Sequence, residues 1–426
     1  MILANGRIYE TSAQAEILAG LEDAISRTLS EKTLSRETVI DAIDRLGRRV
    51  ADGEFDEDIA ALPIDNAMSY KAQAVQMLSR AYLEFKLRTE LGSDFIDDYT
   101  TQPPFGMQPL RVKAMPLGVL LHISAGNVDG LPAFSVAEGL LTGNINLLKL
   151  PQADNGLTLK ILTELIKMAP EIAPFLYVFD TPSSDLSALT ALAARSDGVV
   201  VWGGDAAVTA ARRLAAPGTR LIEWGHKLSF AYLSGYTEDE LRQLAEHIVT
   251  TRQLLCSSCQ TIFLDTEDMQ QISAFCDVFL PILEATAERH LPQSVDAAAE
   301  RTLLQYTRRL EGYLEGGTAA PYQSAFCSLR PAEDRELQLS DQICGCPVKR
   351  LPRGQLIAAL RKHKNYLQTA GLICREEERA ELTALLARSG VVRITRAGDM
   401  SASFAGEAHD GDYPLRRYMR IVNAQT

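Results

Sequence analysis

Glu223 opens the segment EWGHK (223–227) and Cys256 opens CSSCQ (256–260) in a chain of 426 residues. A cysteine thiolate attacks a carbonyl carbon and then carries the acyl group as a thioester, provided a base or a polarising environment supports it. A glutamate supplies such a base or relays a proton. The pair therefore suits acyl-transfer chemistry on a substrate bound in a cleft. Plainer readings stand beside this one, because an ordinary cysteine is a small buried hydrophobe and a glutamate at a strand end is normally solvated. His226, inside EWGHK, receives no role.

Three glycine-containing turns follow strand candidates and can bring backbone close to a phosphate: SAGN, beginning at Ser124, TGN (142–144) and WGGD (202–205). In the last, Gly203 and Gly204 precede a helix for which Asp205 is the expected cap, so backbone donors and the helix dipole would face an anion. The GxGxxG spacing is absent, and Gly-Gly alone reads first as turn geometry. Lys149 closes an apolar strand ahead of Leu150 and Pro151. It is either a solvated strand end or a cation placed at the mouth of a sheet, with Gln152 three residues on. His122 is a packed strand residue or a cleft donor, packing being the first choice. Cys256 with Cys259 and Cys344 with Cys346 would have to converge to hold zinc. The two pairs are far apart and lack flanking glycines, so no metal is expected.

The elements that must position these residues change character along the chain. The first hundred residues are helical in pattern: Ser35 can cap a helix with Val39, Ile43, Leu46 and Val50 on one face, and a second stripe runs through Val75, Leu78, Tyr82 and Phe85. Thr100 to Pro109 is broken by prolines and glycine and reads as a crossing linker. Beyond it, strand candidates at 119–124, 146–150, 176–180 and 198–202 alternate with helical stretches at 131–141, 157–169, 186–195 and 205–216. Such alternation predicts βαβ units with a parallel sheet, whose ligands lie beyond the carboxyl ends of the strands. A strand at 228–234, a helix at 238–251 and a strand at 260–265 surround the cysteine segment. Helices at 269–289 and 376–389, a strand at 391–395 and a loop at 398–412 follow, and 409–422 is read as a loop and a final helix.

Composition bounds the partners. Hydrophobic residues make up 46% and charged residues 23%, which is globular, and no apolar run is long enough to span a membrane. A net charge of -12 without a basic block argues against nucleic acid. Seven cysteines, none in the first 255 residues, read as reduced thiols and not as a secreted disulfide framework. A cytoplasmic protein of two or three domains is expected.

Taken together, PLGVLLHISAGNVDGLPAFSVAEGLLTGNINLLKLP (116–151), VVWGGDAAV (200–208), EWGHK and CSSCQ resemble the aldehyde dehydrogenase superfamily. Within it the chain is most similar to the acyl-CoA reductases related to LuxC, the fatty acid reductase subunit of bacterial luminescence. The likeness is good over residues 100–265 and returns in HDGDYPLRRYMRIV (409–422). It implies that Asn127 is the oxyanion-binding asparagine, that Lys149 reaches the adenosine ribose, and that Gly203 and Gly204 form the pyrophosphate turn. Glu223 matches the glutamate of the ELGGK box and Cys256 the nucleophile. RQLLC (252–256) stands where the superfamily has GQxC, and Gln342 of QICGCPV replaces the acid of ExFGPV that holds the nicotinamide ribose.

The resemblance implies an α/β, aldehyde dehydrogenase-like fold. Its parts would be N-terminal helices with a Rossmann-like cofactor-binding domain (1–225), a catalytic thiol domain (226–395) and a C-terminal segment (396–426) returning to the cofactor domain with a small oligomerisation element. Dimers or tetramers would follow. Cys256 would take the acyl group from acyl-CoA or an acyl carrier, with a partner enzyme as a further conceivable donor. Asn127 and the Cys256 amide would stabilise the oxyanion, Glu223 would act as base or proton relay, and reduction would release an aldehyde. Gln152 is neutral where an acid often repels a 2′-phosphate, so NADPH is the expected cofactor. Two rivals stay open: an aldehyde dehydrogenase running oxidatively, in which Glu223 activates water, and a non-catalytic scaffold in a multienzyme complex.

Overall fold

The apolar runs of the chain form buried parallel strands in a computed structural model, which describes residues 1–61, 68, 71–92, 98, 100–102, 110–124, 130–152, 154–291, 295–314, 322–342 and 344–425. Two units result, Met1–Gly225 with Ser403–Thr426, and His226–Ala402. The first holds β1 (Ile2–Ala4), β2 (Arg7–Tyr9), β3 (Thr100–Gln102), β4 (Leu110–Pro116), β5 (Val119–Ile123), β6 (Ile145–Lys149), β7 (Leu176–Phe179), β8 (Gly198–Trp202) and β9 (Arg220–Trp224). The second holds β10 (Leu228–Leu233), β11 (Cys259–Leu264), β12 (Tyr322–Gln323), β13 (Ser328–Ala332), β14 (Gly345–Arg350), β15 (Leu367–Ile373) and β16 (Arg393–Thr395). The last strand, β17 (Met419–Ala424), lies in the first unit.

In the first unit the sheet order is β2-β1-β7-β6-β5-β8-β9, with β7, β6, β5, β8 and β9 parallel. Every residue of β6, β7 and β8 is buried, the signature of strands covered on both faces. The chain lays down β5, β6 and β7 in one direction and then β8 and β9 on the other side of β5. The topological switch therefore falls between β5 and β8, where an open parallel sheet leaves a crevice at its carboxyl ends. A separate antiparallel sheet, β17-β4-β3, completes this unit.

The second unit is ordered β12-β13-β14-β11-β10-β15-β16, parallel except for β12. Strand β10, an interior strand of this sheet, meets a register shift on both sides. Between Ser229 and Phe230 the partner on β11 advances from Cys259 to Thr261, and between Leu228 and Phe230 the partner on β15 advances from Leu367 to Ala370. Both irregularities sit at the amino ends of these strands.

Several sequence expectations need correcting. The first hundred residues also contain the β1–β2 hairpin, whose three-residue strands are too short to show a period of two. Ser35 stands at the N-cap of the helix Arg36–Ala51, but its hydroxyl makes no capping bond; the stripe Val39, Ile43, Leu46 and Val50 is buried. The second stripe is interrupted at Ser79, which caps the helix Arg80–Leu91 through the Tyr82 N–H, and Phe85 is exposed. Part of the expected linker is β3, and residues 103–109 lie outside the described set. Pro414–Arg417 is a single helical turn, after which the chain becomes β17 and not a final helix.

Candidate active site

Five of the residues singled out from the sequence lie at one edge of the first unit's sheet. Lys149 pairs in register with Ile123, Ile123 with Val201, and Val201 with Glu223. Lys149 and Glu223 thus end a row across β6, β5, β8 and β9, about 14 Å apart at three strand spacings. Ser124 follows β5, and Gly203 and Gly204 follow β8, both flanking the switch point. Gln152 lies three residues beyond β6, and Asn127 falls outside the described residues.

Lys149 is almost fully buried and donates from Nζ to Ser183 Oγ at 2.9 Å. Burial lowers its pKa, while the nearby Asp180 carboxylate works in the opposite direction. A cation desolvated at a strand mouth seeks an anionic partner. At the β8 turn a Cβ on Gly203 would stand 2.9 Å from Ala207 Cβ, so only glycine lets the backbone run this close to the helix Asp205–Leu214. The N-cap of that helix is Gly204 and Asp205 is its first residue, which corrects the sequence reading. First-turn N–H groups nevertheless face the carboxyl end of β8. A buried cation, a glycine-only turn and helix N–H groups along one edge fit a dinucleotide.

Glu223 is held by a partner that sequence patterns did not flag. Arg212 on the same helix grips it with two hydrogen bonds, Nε to Oε1 at 2.5 Å and Nη2 to Oε2 at 2.7 Å. The same carboxylate raises the pKa of the guanidinium. Beside it, Trp202, Trp224 and His409 form an aromatic triad with ring centroids 5.0–5.4 Å apart. His409 belongs to the HDGD stretch, whose residues carry no assigned role in the sequence reading.

Under this edge runs a buried polar chain. Trp202 Nε1 donates to Ser135 Oγ at 3.0 Å, and Ser135 lies 2.7 Å from His122 Nδ1. His122 Nε2 lies 3.0 Å from Asn146 Oδ1, while Asn146 Nδ2 donates to Asn144 O at 2.7 Å. Because the amide nitrogen must face a carbonyl, Oδ1 accepts, so His122 carries its proton on Nε2 and Nδ1 accepts from Ser135. This settles His122 as a packed residue. Burial pushes its pKa down to about 4, opposed by the Asn146 bond, and burial with Arg393 does the same to His247 in the second unit. Both folded values lie below the unfolded one, so the stabilisation they give is complete above pH 6.5 and is lost as pH falls toward 4. The melting temperature should therefore drop between pH 6.5 and 4.5, each histidine costing on the order of 3 kcal/mol at the acid end. A flat profile over that window in scanning fluorimetry contradicts this.

In the second unit the candidate residues lie at the opposite end of their own strands. Cys256 precedes β11, Gln342 precedes β14, and Ser229 and Gln368 are the second residues of β10 and β15, all at amino ends. The helix Glu238–Thr251 opens with a capping box of Thr237 and Glu240 and ends where Arg252 and Gln253 adopt left-handed φ of 49° and 60°. Such conformations are costly for non-glycine residues and must be paid for by surrounding bonds. Gln253, buried, donates from Nε2 to Cys259 O at 2.9 Å and its carbonyl accepts from Gln260 at 2.9 Å. His247 Nε2 accepts from Cys259 N at 3.1 Å. The turn that follows is closed by Ser258 N to Leu255 O at 2.9 Å.

This frame presents Cys256 as the one exposed cysteine of seven, none of which forms a disulfide. Its carbonyl accepts from Ser229 Oγ at 2.7 Å, and Ser229 Oγ accepts from Thr369 N at 3.0 Å. Its sulfur accepts from Gln368 Nε2 at 3.3 Å. Neither Ser229 nor Gln368 carries a motif, and only their register shifts set them apart. Gln342 is exposed, with φ 64° in the turn before β14. Among the described residues no group of His, Cys, Asp or Glu is arranged to hold a metal ion, and no helix is long and apolar enough to cross a membrane.

Residues 32–421 match the family described as Acyl-CoA reductase (LuxC). The chain belongs to that family. Its LuxC-family relatives include the long-chain acyl-protein thioester reductase of Vibrio harveyi, 26% identical over 82% of this chain and 72% of that protein. The corresponding protein of Aliivibrio fischeri is 25% identical over 73% of this chain and 65% of its own length. The chain thus spans about two thirds to three quarters of these relatives. Methylmalonate-semialdehyde dehydrogenase from Oceanimonas doudoroffii shares the fold at TM-score 0.72, with 14% identity over 99% of this chain and 97% of that one. An archaeal glyceraldehyde-3-phosphate dehydrogenase from Methanocaldococcus jannaschii, solved with NADP, reaches TM-score 0.69 at 10% identity over 98% and 95%. This LuxC-family chain therefore has the aldehyde dehydrogenase-like α/β fold that its sequence predicted.

Proposed function

We propose that this chain reduces a fatty acyl thioester to the aldehyde through an acyl-enzyme on Cys256, with NADPH as cofactor. The observation that carries the reading is the exposed Cys256, on a loop pinned at its carbonyl and its thiol, in a chain of the acyl-CoA reductase family. The Cys256 thiolate attacks the thioester carbonyl, and the carrier thiol leaves with the proton. The Cys256 backbone N–H and Asn127 are assigned to the oxyanion, each donor contributing about 3 kcal/mol in comparable sites. The nicotinamide cofactor, when bound, supplies the hydride that converts the enzyme thioester to a thiohemiacetal. Collapse of that adduct breaks the carbon–sulfur bond, returns the electron pair to Cys256 and releases the aldehyde. Glu223, oriented by Arg212, is assigned the role of base or proton relay.

Lys149, Ser124, Gly203 and Gly204 are the residues that would hold the cofactor in the first unit, with Gln152 neutral beside a 2′-phosphate and Gln342 of the second unit assigned to a ribose. Replacing Lys149 with methionine should raise KM for NADPH about tenfold, the scale of one charge-assisted hydrogen bond, with little change in kcat. Initial rates with NADPH and NADH check this, and equal or better activity with NADH overturns the NADPH assignment. The antiparallel sheet of β3, β4 and β17 is the proposed oligomerisation element, in a dimer or tetramer.

The relatives are reductases of long-chain acyl-protein thioesters by name. For this chain that supports an acylated protein as donor alongside acyl-CoA. The direct test incubates the purified protein with acyl-CoA and NADPH and follows NADPH loss together with aldehyde. Aldehyde oxidation without thioester reduction would favour the oxidative rival, and a folded protein that resists acylation would favour a scaffold.

A further inference from the structure

Resting on the reading of Cys256 as nucleophile, we propose that Gln368 is a positioning residue that stabilises the Cys256 sulfur as thiolate, both before acyl transfer and when the aldehyde departs. Three observations converge on it. Gln368 is buried, at 6% exposure, and its Nε2 points at Cys256 Sγ from 3.3 Å. Its Oε1 lies 3.4 Å from the Thr369 hydroxyl, a long contact consistent with the N–H side facing the sulfur. And it occupies the register shift of β15, where Gln368 and Thr369 together stand opposite the single residue Ser229 of β10.

A bulge of this kind re-aims side chains at the end of a strand, and such bulges gather beside active sites. Here it lets two adjacent residues serve one loop. Gln368 reaches the sulfur, while the Thr369 N–H fixes Ser229, whose hydroxyl holds the Cys256 carbonyl. A carboxamide N–H favours the charged form of its acceptor. A thioester sulfur is a poor acceptor, so the bond is strongest in the free thiolate and weakest in the acyl-enzyme. When the thiohemiacetal collapses, its hydroxyl proton goes to a base or to solvent, the carbon–sulfur bond breaks, and the electron pair returns to a sulfur facing this donor. The same N–H thus assists the formation of the nucleophile and its departure.

The test uses the full chain with Gln368→Leu, which removes the donor, and Gln368→Glu, which keeps the shape and places an anion beside the sulfur. The readout is the rate of Cys256 carbamidomethylation by iodoacetamide against pH, mapped by peptide mass. Arg252, His226, Lys227, His363, Lys364, Arg393 and Asp399, charged or titratable groups on the segments that flank the cysteine loop and β15, are the same in every variant. The leucine variant should alkylate about tenfold more slowly at neutral pH with its midpoint shifted up by about one unit, and the glutamate variant further still. If the leucine variant fails to fold, Gln368→Met, which also lacks the donor and adds no charge, decides. A midpoint equal to that of the native chain in a folded variant overturns the proposal. Alkylation needs no turnover, so this outcome is separate from the reductase reading, which fails instead if Cys256→Ala still forms aldehyde.

Discussion

Replacing Cys256 with alanine is expected to lower acyl-thioester reduction by at least about a thousandfold, since removing the nucleophile of a covalent mechanism leaves only binding and oxyanion stabilisation. The cost to the fold should be small. Cys256 is exposed, and its loss removes one acceptor facing the buried Gln368 N–H, worth about 1 kcal/mol. Intact-mass measurement after incubation with acyl-CoA should show an acyl adduct on the native chain and none on the variant, with melting temperatures within a few degrees. Retained aldehyde formation by the variant would remove Cys256 from the reaction.

The largest structural effect is expected at a residue that touches no ligand. Gly139 lies in the helix Leu131–Leu141, and a Cβ there would overlap Asn146 Oδ1 on β6. Gly139→Ala must push Asn146 away, which breaks its bond to His122 Nε2 and strands a buried donor beneath the sheet. Overpacking and an unsatisfied buried group together cost about 3 kcal/mol or more. For a unit of this size that lowers the melting temperature by roughly 5–10 °C. Because the chain from Asn146 through His122 and Ser135 ends at Trp202, one residue before the Gly203 turn, cofactor affinity should fall as well. Scanning fluorimetry and cofactor titration check both, and a variant as stable as the native chain would show that Asn146 has room to move.

These two residues also mark what the sequence could and could not disclose. Cys256 sits in a segment whose order after Lys149, Gly203 and Glu223 is distinctive, and the long apolar runs of β5, β6 and β8 leave little choice but buried parallel strands. Helices with full periods, such as Leu131–Leu141, Glu238–Thr251 and Glu376–Ser389, begin and end where their patterns do. What stayed hidden depends on tertiary placement. Arg212 looks like any arginine on an exposed helix face until β9 brings Glu223 beside it. Gln368 and Ser229 look like strand residues until a register shift turns them toward the loop. That Cys256 would lie at the amino ends of its strands, while Lys149 and Gly203 lie at carboxyl ends of theirs, also depends on topology, since the cysteine loop enters its strand and the glycine turn leaves one.

The double hold on Cys256, sulfur through Gln368 and carbonyl through Ser229 and Thr369, makes the cysteine loop a poor candidate for transplantation. Its seven residues from Arg252 to Ser258 could be copied into a related scaffold letter for letter and would still arrive without their clasp, which is stored more than a hundred positions away in an irregularity of β15. Inheritance of the chemistry is therefore tied to inheritance of a backbone defect, and relatives that regularise this strand should be expected to have found another way to hold the thiol.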